Sequence, residues 1–406
     1  MDTRVPATEG VVSITRYPEK EVAITGIGMS EVSRGSSVSA LRLTVDACRQ
    51  ALDHAGLRAS DIDGLATYPG AVDNGSGFSP VGAHDLRLAL GLRPTWYAAT
   101  AMDSAGQLSA IFAAIHALAA GVVRHVLVFR TSAEASARKR AKESMAWGGS
   151  GQRVAGMWQW AVPFGAYSPA PWYALFAQRY MHEFGLTPEQ LGAVAVNGRR
   201  MAALNPKAVY RAPLTLDDYL SSRIIASPLR LYDCDVPVDG SVALVLSRAD
   251  AARDTRNTPI RVESMGGAFA AGGLRQPTDL TSFGAEAAGT MLWSRTDLTP
   301  RDVDVAQIYD GFSILTLHWL EALQLCKRGE AGEFVEGGAN IGLDGMLPMN
   351  TSGGQLSAGR LHGFGHLHEA CVQLWGLGGA RQVADARTAI TCAGAYGLGC
   401  LLLVKD

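Results

Sequence analysis

The pattern of apolar and polar positions along this chain switches repeatedly between the two periods of regular structure. Val22-Ala23-Ile24, Val126-Leu127-Val128-Phe129 and Val242-Ala243-Leu244-Val245-Leu246 are apolar runs of strand length. The first continues through Thr25-Gly26-Ile27-Gly28, which predicts a strand ending in glycines. Residues 38–55 instead place Leu41, Val45, Cys48, Leu52 and Ala55 on one helical face. Residues 105–120 are apolar on most sides, and such a helix is expected to be buried all round. Later in the chain, residues 303–308, 389–392 and 401–404 supply further short strands. Strands alternating with helices predict a layered α/β fold.

Two blocks occur twice, in the same order. Leu57-x3-Asp61-Ile62-Asp63-x4-Tyr68 returns as Leu298-x3-Asp302-Val303-Asp304-x4-Tyr309. Ser104-Ala105-Gly106-Gln107-Leu108-Ser109-Ala110 returns as Ser352-Gly353-Gly354-Gln355-Leu356-Ser357-Ala358. One duplication explains both. The expected organisation is two similar halves, about 20–250 and 258–406, each a five-stranded βα unit. Tyr68 should then match Tyr309, and Gly106 should match Gly354. An excursion over about 131–230 interrupts the first half. It holds a basic cluster (Arg138, Lys139, Arg140, Lys142, Arg153), the aromatics Trp147, Trp158, Trp160, Phe164 and Tyr167, and two helices over 176–205 that break at Asn205-Pro206. An insertion this long predicts a lid over a substrate site.

Composition narrows the possible partners. The formal net charge is −2 and no long basic run occurs, which argues against a nucleic-acid footprint and for a small-molecule substrate. No signal-like segment opens the chain and no apolar stretch is long enough to span a bilayer, so a cytoplasmic protein is expected. The six cysteines form no CxxC pair, which fits a reducing compartment and gives zinc no thiolate site.

Several motifs carry a family resemblance. They are Ile24-Thr25-Gly26-Ile27-Gly28-Met29, the run Ala195 through Pro206, Leu231-Tyr232-Asp233-Cys234-Asp235-Val236-Pro237-Val238-Asp239-Gly240, Tyr309-Asp310-Gly311-Phe312, Asn350-Thr351-Ser352-Gly353-Gly354-Gln355 and His362-Gly363. From about residue 20 onward the chain resembles thiolases of the sterol-carrier and lipid-transfer group. Its nearest likeness is to the non-thiolytic branch of steroid side-chain aldolases. That resemblance implies a thiolase fold, two duplicated βα halves in an αβαβα sandwich with an inserted lid. It also implies a homodimer and a small OB-fold partner bearing a zinc ribbon. The departures from thiolases are at catalytic positions. Asp103 stands where a thiolase has its cysteine nucleophile, and a carboxylate there cannot form a thioester. Gly359-Arg360-Leu361 fills the slot of the thiolase Gly-His-Pro, with His362 following. Tyr309-Asp310-Gly311-Phe312 replaces Asn-Glu-Ala-Phe.

The candidate catalytic residues are Tyr309, Tyr396 and His362. Tyr309 ends a strand before a glycine turn, and Tyr396 lies in the glycine-rich turn Cys392-Ala393-Gly394-Ala395-Tyr396-Gly397. His362 follows the slot of the thiolase histidine. Cys392 keeps a thiolase-like Cys-x-Gly spacing and is an alternative base, and His362, His366 and His368 offer an alternative zinc set. The expected chemistry is retro-aldol cleavage of a bulky β-hydroxyacyl-CoA into a ketone and a short acyl-CoA. Two phenols share the proton transfers, His362 and backbone N–H groups of the loop from Asn350 to Gly354 hold the thioester oxygen, and no cofactor or covalent intermediate is needed. The rival readings are a thiolase or acyl-CoA acyltransferase and a non-catalytic thiolase-like subunit of a complex.

Overall fold

The computed structural model describes residues 17–72, 75–101, 105–141, 159, 161–269, 279–394 and 397–405. Asp103, Lys142, Trp147, Arg153, Trp158, Trp160 and Tyr396 lie outside them. Its principal helices are α1 (Ala40–Ala55), α2 (Ser109–Ala119), α3 (Glu134–Ala141), α4 (Pro169–Phe184), α5 (Pro188–Ala203), α6 (Glu286–Trp293), α7 (Ser313–Ala322) and α8 (Phe364–Leu374). The strands of the main sheet are β1 (Val22–Met29), β2 (Gly64–Thr67), β3 (Trp96–Ala99), β4 (His125–Ala133), β5 (Asp239–Arg248), β6 (Ile260–Phe269), β7 (Val305–Gln307), β8 (Thr388–Ala393) and β9 (Gly397–Lys405). Among the described residues no helix is long and apolar enough to cross a membrane.

The nine strands form one sheet in the order β3-β2-β4-β5-β1-β6-β9-β8-β7. Strand β2 pairs parallel with β4, and β5 runs antiparallel between β4 and β1. The same pattern returns beyond β6, where β7 pairs parallel with β8 and β9 runs antiparallel between β8 and β6. Among the described residues, the two runs pair where Ala23 meets Arg261 and Ile24 meets Ile260.

The repeated aspartates do the same job in each copy. Asp63 accepts backbone N–H bonds from Arg124 and His125 at the start of β4, and Asp304 accepts them from Arg387 and Thr388 at the start of β8. The expected fifth strand of the second half is absent among the described residues. In its place Met349 makes a single bridge to Ala306. The chain leading to it contains Gly337 and Gly338 in left-handed conformation, at φ of 65° and 75°, which an extended strand cannot include.

Alternation along β4 divides the core. Leu127 and Phe129 pack outward beneath α1, with Ala47, Ala51 and Leu65. Val126 and Val128 face the other way, into the large core that contains α2 and α8. Helix α1 starts at Ser39, whose side chain accepts the Arg42 N–H, and stops at Gly56 in left-handed conformation. The glycines of β1 lie inside the strand instead of ending it. A Cβ at Gly26 or Gly28 would overlap the carbonyl oxygen of Ala51 or Ala47, so bare backbone lets α1 lie close against β1.

Candidate active site

Tyr309 follows β7 at its C-terminal end, where parallel strands commonly present functional side chains. The phenol is buried, and its ring folds back over Gly311, where a Cβ would lie 2.9 Å from the ring and 3.1 Å from the hydroxyl. Its backbone N–H donates to the Cys392 thiol at 3.3 Å. Gln107 Nε2 donates to the Tyr309 hydroxyl at 2.9 Å.

Gln107 and Gln355 are equivalent residues of the repeated block, and both approach this one phenol. Burial first, and then the charge of Asp235, raise the Tyr309 pKa above its ordinary value, while the amides of Gln355 and Gln107 work against that rise. Gln107 Oε1 and Gln355 Nε2 are buried without hydrogen-bond partners among the described residues. Each glutamine follows a glycine in left-handed conformation, Gly106 at φ 54° and Gly354 at φ 59°. A Cβ would overlap the Gly397 carbonyl oxygen at the first and the Asp310 carboxylate at the second.

His362 is buried beside this group with a left-handed backbone, φ 51°. Its N–H donates to Gln355 Oε1 at 2.9 Å, and its Nδ1 lies 3.0 Å from an Arg130 guanidinium nitrogen. A guanidinium only donates, so Nδ1 accepts, and the neutral ring carries its proton on Nε2. Burial, reinforced by Arg130 and Arg360, holds the imidazole pKa well below the usual histidine value. Glu134 Oε2 lies 3.7 Å from Nε2, beyond hydrogen-bond reach, which leaves that N–H without a partner among the described residues.

Around these two residues lies a charged network. Arg360 grips Glu134 through two bonds of 2.7 and 3.0 Å and Asp235 through a third of 2.8 Å. Burial opposes the Arg360 charge, but Asp235 and Glu134 overcome it. Arg130 is fully buried, and burial brings its pKa down to about 10, so it stays charged at neutral pH.

Residues 266–399 match the thiolase C-terminal domain-like family. A steroid side-chain-cleaving aldolase of Thermomonospora curvata is 35% identical over 388 residues, spanning 92% of this chain and 94% of its own. The chain belongs to the thiolase-like aldolases. A second relative in that family, the 17-hydroxy-3-oxo-4-pregnene-20-carboxyl-CoA lyase of Mycobacterium tuberculosis, is 35% identical over 92% of this chain and 96% of its own. The solved structure of an Ltp2-ChsH2(DUF35) aldolase superposes with a TM-score of 0.84 at 33% identity, covering 95% of this chain and 98% of that one. Human mitochondrial 3-ketoacyl-CoA thiolase superposes at 0.69 with 12% identity, over 96% of this chain and 100% of that one, a likeness of fold alone.

Of the residues singled out from sequence, Tyr309 and His362 share one site in this thiolase-like aldolase, with Gln355 touching both. The three nearby histidines do not converge. His366 Nε2 lies 3.0 Å from Asp310, and His366 and His368 line a cavity of about 250 Å³ together with Gln355, Lys207 and Arg381, while His362 is not among its lining residues. Of the Asn350 to Gly354 amides expected to hold a thioester oxygen, that of Asn350 donates to Ala306 O and that of Gly353 to Asn350 O. Just past the loop, Asp310 accepts the N–H groups of Gln355 and Leu356. Asn350 itself pairs both ways with the Ile308 backbone, which ties the loop to the end of β7. Cys392 is fully buried, and burial drives its thiol pKa far up, so it stays neutral.

Sequence reasoning gave no role to Tyr173, Asp235, Arg360, Arg130 or Glu134. Tyr173 projects from α4 onto Phe312, with ring centroids 4.7 Å apart. Burial raises its pKa well above the usual value, helped by Tyr309 and Asp235. Asp235 and Arg360 sit in motifs that were already visible, but their pairing is made only by the fold.

Proposed function

We propose that this protein is an acyl-CoA aldolase of the thiolase-like type. It cleaves a bulky, steroid-like β-hydroxyacyl-CoA by retro-aldol chemistry into a ketone and a short acyl-CoA, acetyl-CoA or propionyl-CoA. The observation that carries this reading is the convergence on Gln355 of a buried phenol and a neutral imidazole whose Nε2–H has no hydrogen-bond partner among the described residues, beside a cysteine whose thiol is held neutral by burial. Breaking the Cα–Cβ bond leaves an acyl-CoA enolate, which needs a donor at its oxygen and an acid at its carbon. His362 Nε2–H, with the orphan Gln355 Nε2, supplies the first. Tyr309 supplies the second, because a phenol with a raised pKa holds its proton until a carbanion takes it. Tyr396 is the further phenol we assign to proton transfer, on the resemblance alone. CoA belongs to the substrate, and the reaction requires no cofactor.

The same reading includes a homodimer, a cytoplasmic location and a small OB-fold partner with a zinc ribbon. The match to a complex containing ChsH2(DUF35) supports the partner. The test is incubation with a tertiary β-hydroxyacyl-CoA on a ring system, with and without such a partner. Release of ketone and acyl-CoA in equal amounts is expected, with the protein mass unchanged. An acyl adduct on any cysteine, or thiolysis of a β-ketoacyl-CoA, would overturn the reading in favour of acyl transfer.

A further inference from the structure

Retro-aldol cleavage needs a base for the substrate hydroxyl, and among the described residues Tyr309, His362 and Cys392 do not supply one. Tyr309 keeps its proton, His362 Nδ1 is occupied by Arg130, and the Cys392 thiol is neutral. Among the nearby described carboxylates, Asp310 is spent on the Gln355 and Leu356 N–H groups and Glu134 on Arg360, which leaves that of Asp235. The segment holding Asp235 runs antiparallel to the Tyr309 turn, with Cys234 bridged to Phe312 and the Asp235 N–H donating to Gly311 O at 3.2 Å. The Tyr309 ring folds over that same Gly311, so carboxylate and phenol flank one residue that has no side chain to separate them. The other face of the segment is clamped by Arg360, whose N–H donates to Val236 O at 2.8 Å. Asp235 Oδ1 accepts from the Arg360 guanidinium, while Oδ2 accepts no hydrogen bond among the described residues. Arg360 is already held by both oxygens of Glu134, so its charge does not depend on Asp235 alone.

Resting on the aldolase reading, we propose that Asp235 is the general base that removes the substrate's hydroxyl proton. Asp235 Oδ2 takes the proton, and the O–H pair becomes the second bond of the ketone carbonyl. The Cα–Cβ pair passes to Cα and spreads onto the thioester oxygen, where His362 and Gln355 donate to it. Tyr309 then gives its proton to Cα, and its phenolate recovers one from the Asp235 carboxylic acid. Every group ends as it began, and no outside acid, base or oxidant is consumed.

The charged and titratable groups facing Asp235 are Arg360, Glu134, Arg138, Asp310, Tyr309 and Tyr173. Burial first, with the repulsion of Glu134 and Asp310, outweighs the arginines and raises its pKa to about 7. The base must be ionised to work. Wild-type kcat/KM for ketone release should therefore be level above pH 7 and fall tenfold per unit below it.

In Asp235→Asn, which keeps an oxygen for Arg360, the rate should fall on the order of 10²-fold or more and the acid limb should disappear. Asp235→Ala should regain rate when formate is added, which a purely structural role would not produce. If wild type cleaves its substrate while Asp235→Asn keeps both rate and limb, or Asp235→Ala ignores formate, the assignment fails and the aldolase reading stands. If wild type releases no ketone from any such substrate, the aldolase reading itself has failed.

Discussion

At the scale of single residues, the site depends on groups whose proton state is fixed by burial. Tyr309→Phe removes one hydroxyl whose hydrogen-bond partner is Gln107 and leaves the ring in place. Stability should change by only about 1 kcal/mol. The cleavage rate should fall by on the order of 10²-fold or more, as for a lost general acid. Tyr68→Phe, at the equivalent position of the first half, should cost far less rate, because that ring lies beneath Arg130 and reaches His362 through it. Ketone release and thermal melting of the two variants decide the matter, and equal small losses would make both tyrosines structural. Tyr309 was legible in the sequence because a strand-ending polar residue before a glycine stands out locally. His362 was legible from the motif slot. Asp235, Glu134 and Arg360 were not, since a charge in a loop or at a helix end reads as solvated until the fold shows it buried against its opposite. Tyr173 was hidden for a related reason: its helix reads as part of a lid, and nothing local shows which face turns inward.

The duplication is visible element by element. A carboxylate at the same place in each copy holds the start of the neighbouring strand, so Asp63→Ala and Asp304→Ala should damage the fold in the same way. Asp63 is the less exposed of the two, so its loss should be the larger, about 1–2 kcal/mol against about 1 kcal/mol for Asp304. Thermal denaturation of both variants checks the order, and a reversed ranking would count against it. Strand and helix periods exposed most of the layered plan, including α1, α2, β4, β5, β8 and β9. Strand β6 escaped because Arg261, Glu263 and Ser264 break its apolar run, and Gly266 and Gly267 resemble a turn. The repeat overstated the symmetry at the position of the missing fifth strand. Two similar sequence blocks fix the strands they contain, but not a segment between them that has since become rich in glycine.

On the scale of the whole molecule, a formal net charge of −2 on 406 residues produces little long-range field. The intense field is local, made by Arg360, Arg130, Glu134 and Asp235 within a space that little water enters. Dissolved ions screen exposed charges over about 8 Å at physiological ionic strength, and they screen buried pairs far less. Salt should therefore separate two parts of the kinetics. Raising it weakens capture of a CoA substrate through its phosphates, so KM should climb. The bond-breaking step feels the enclosed charges, so kcat in single-turnover measurements should hold nearly constant from low to high salt. A kcat that fell in step with rising salt would mean that the arginine–carboxylate network opens to solvent during turnover.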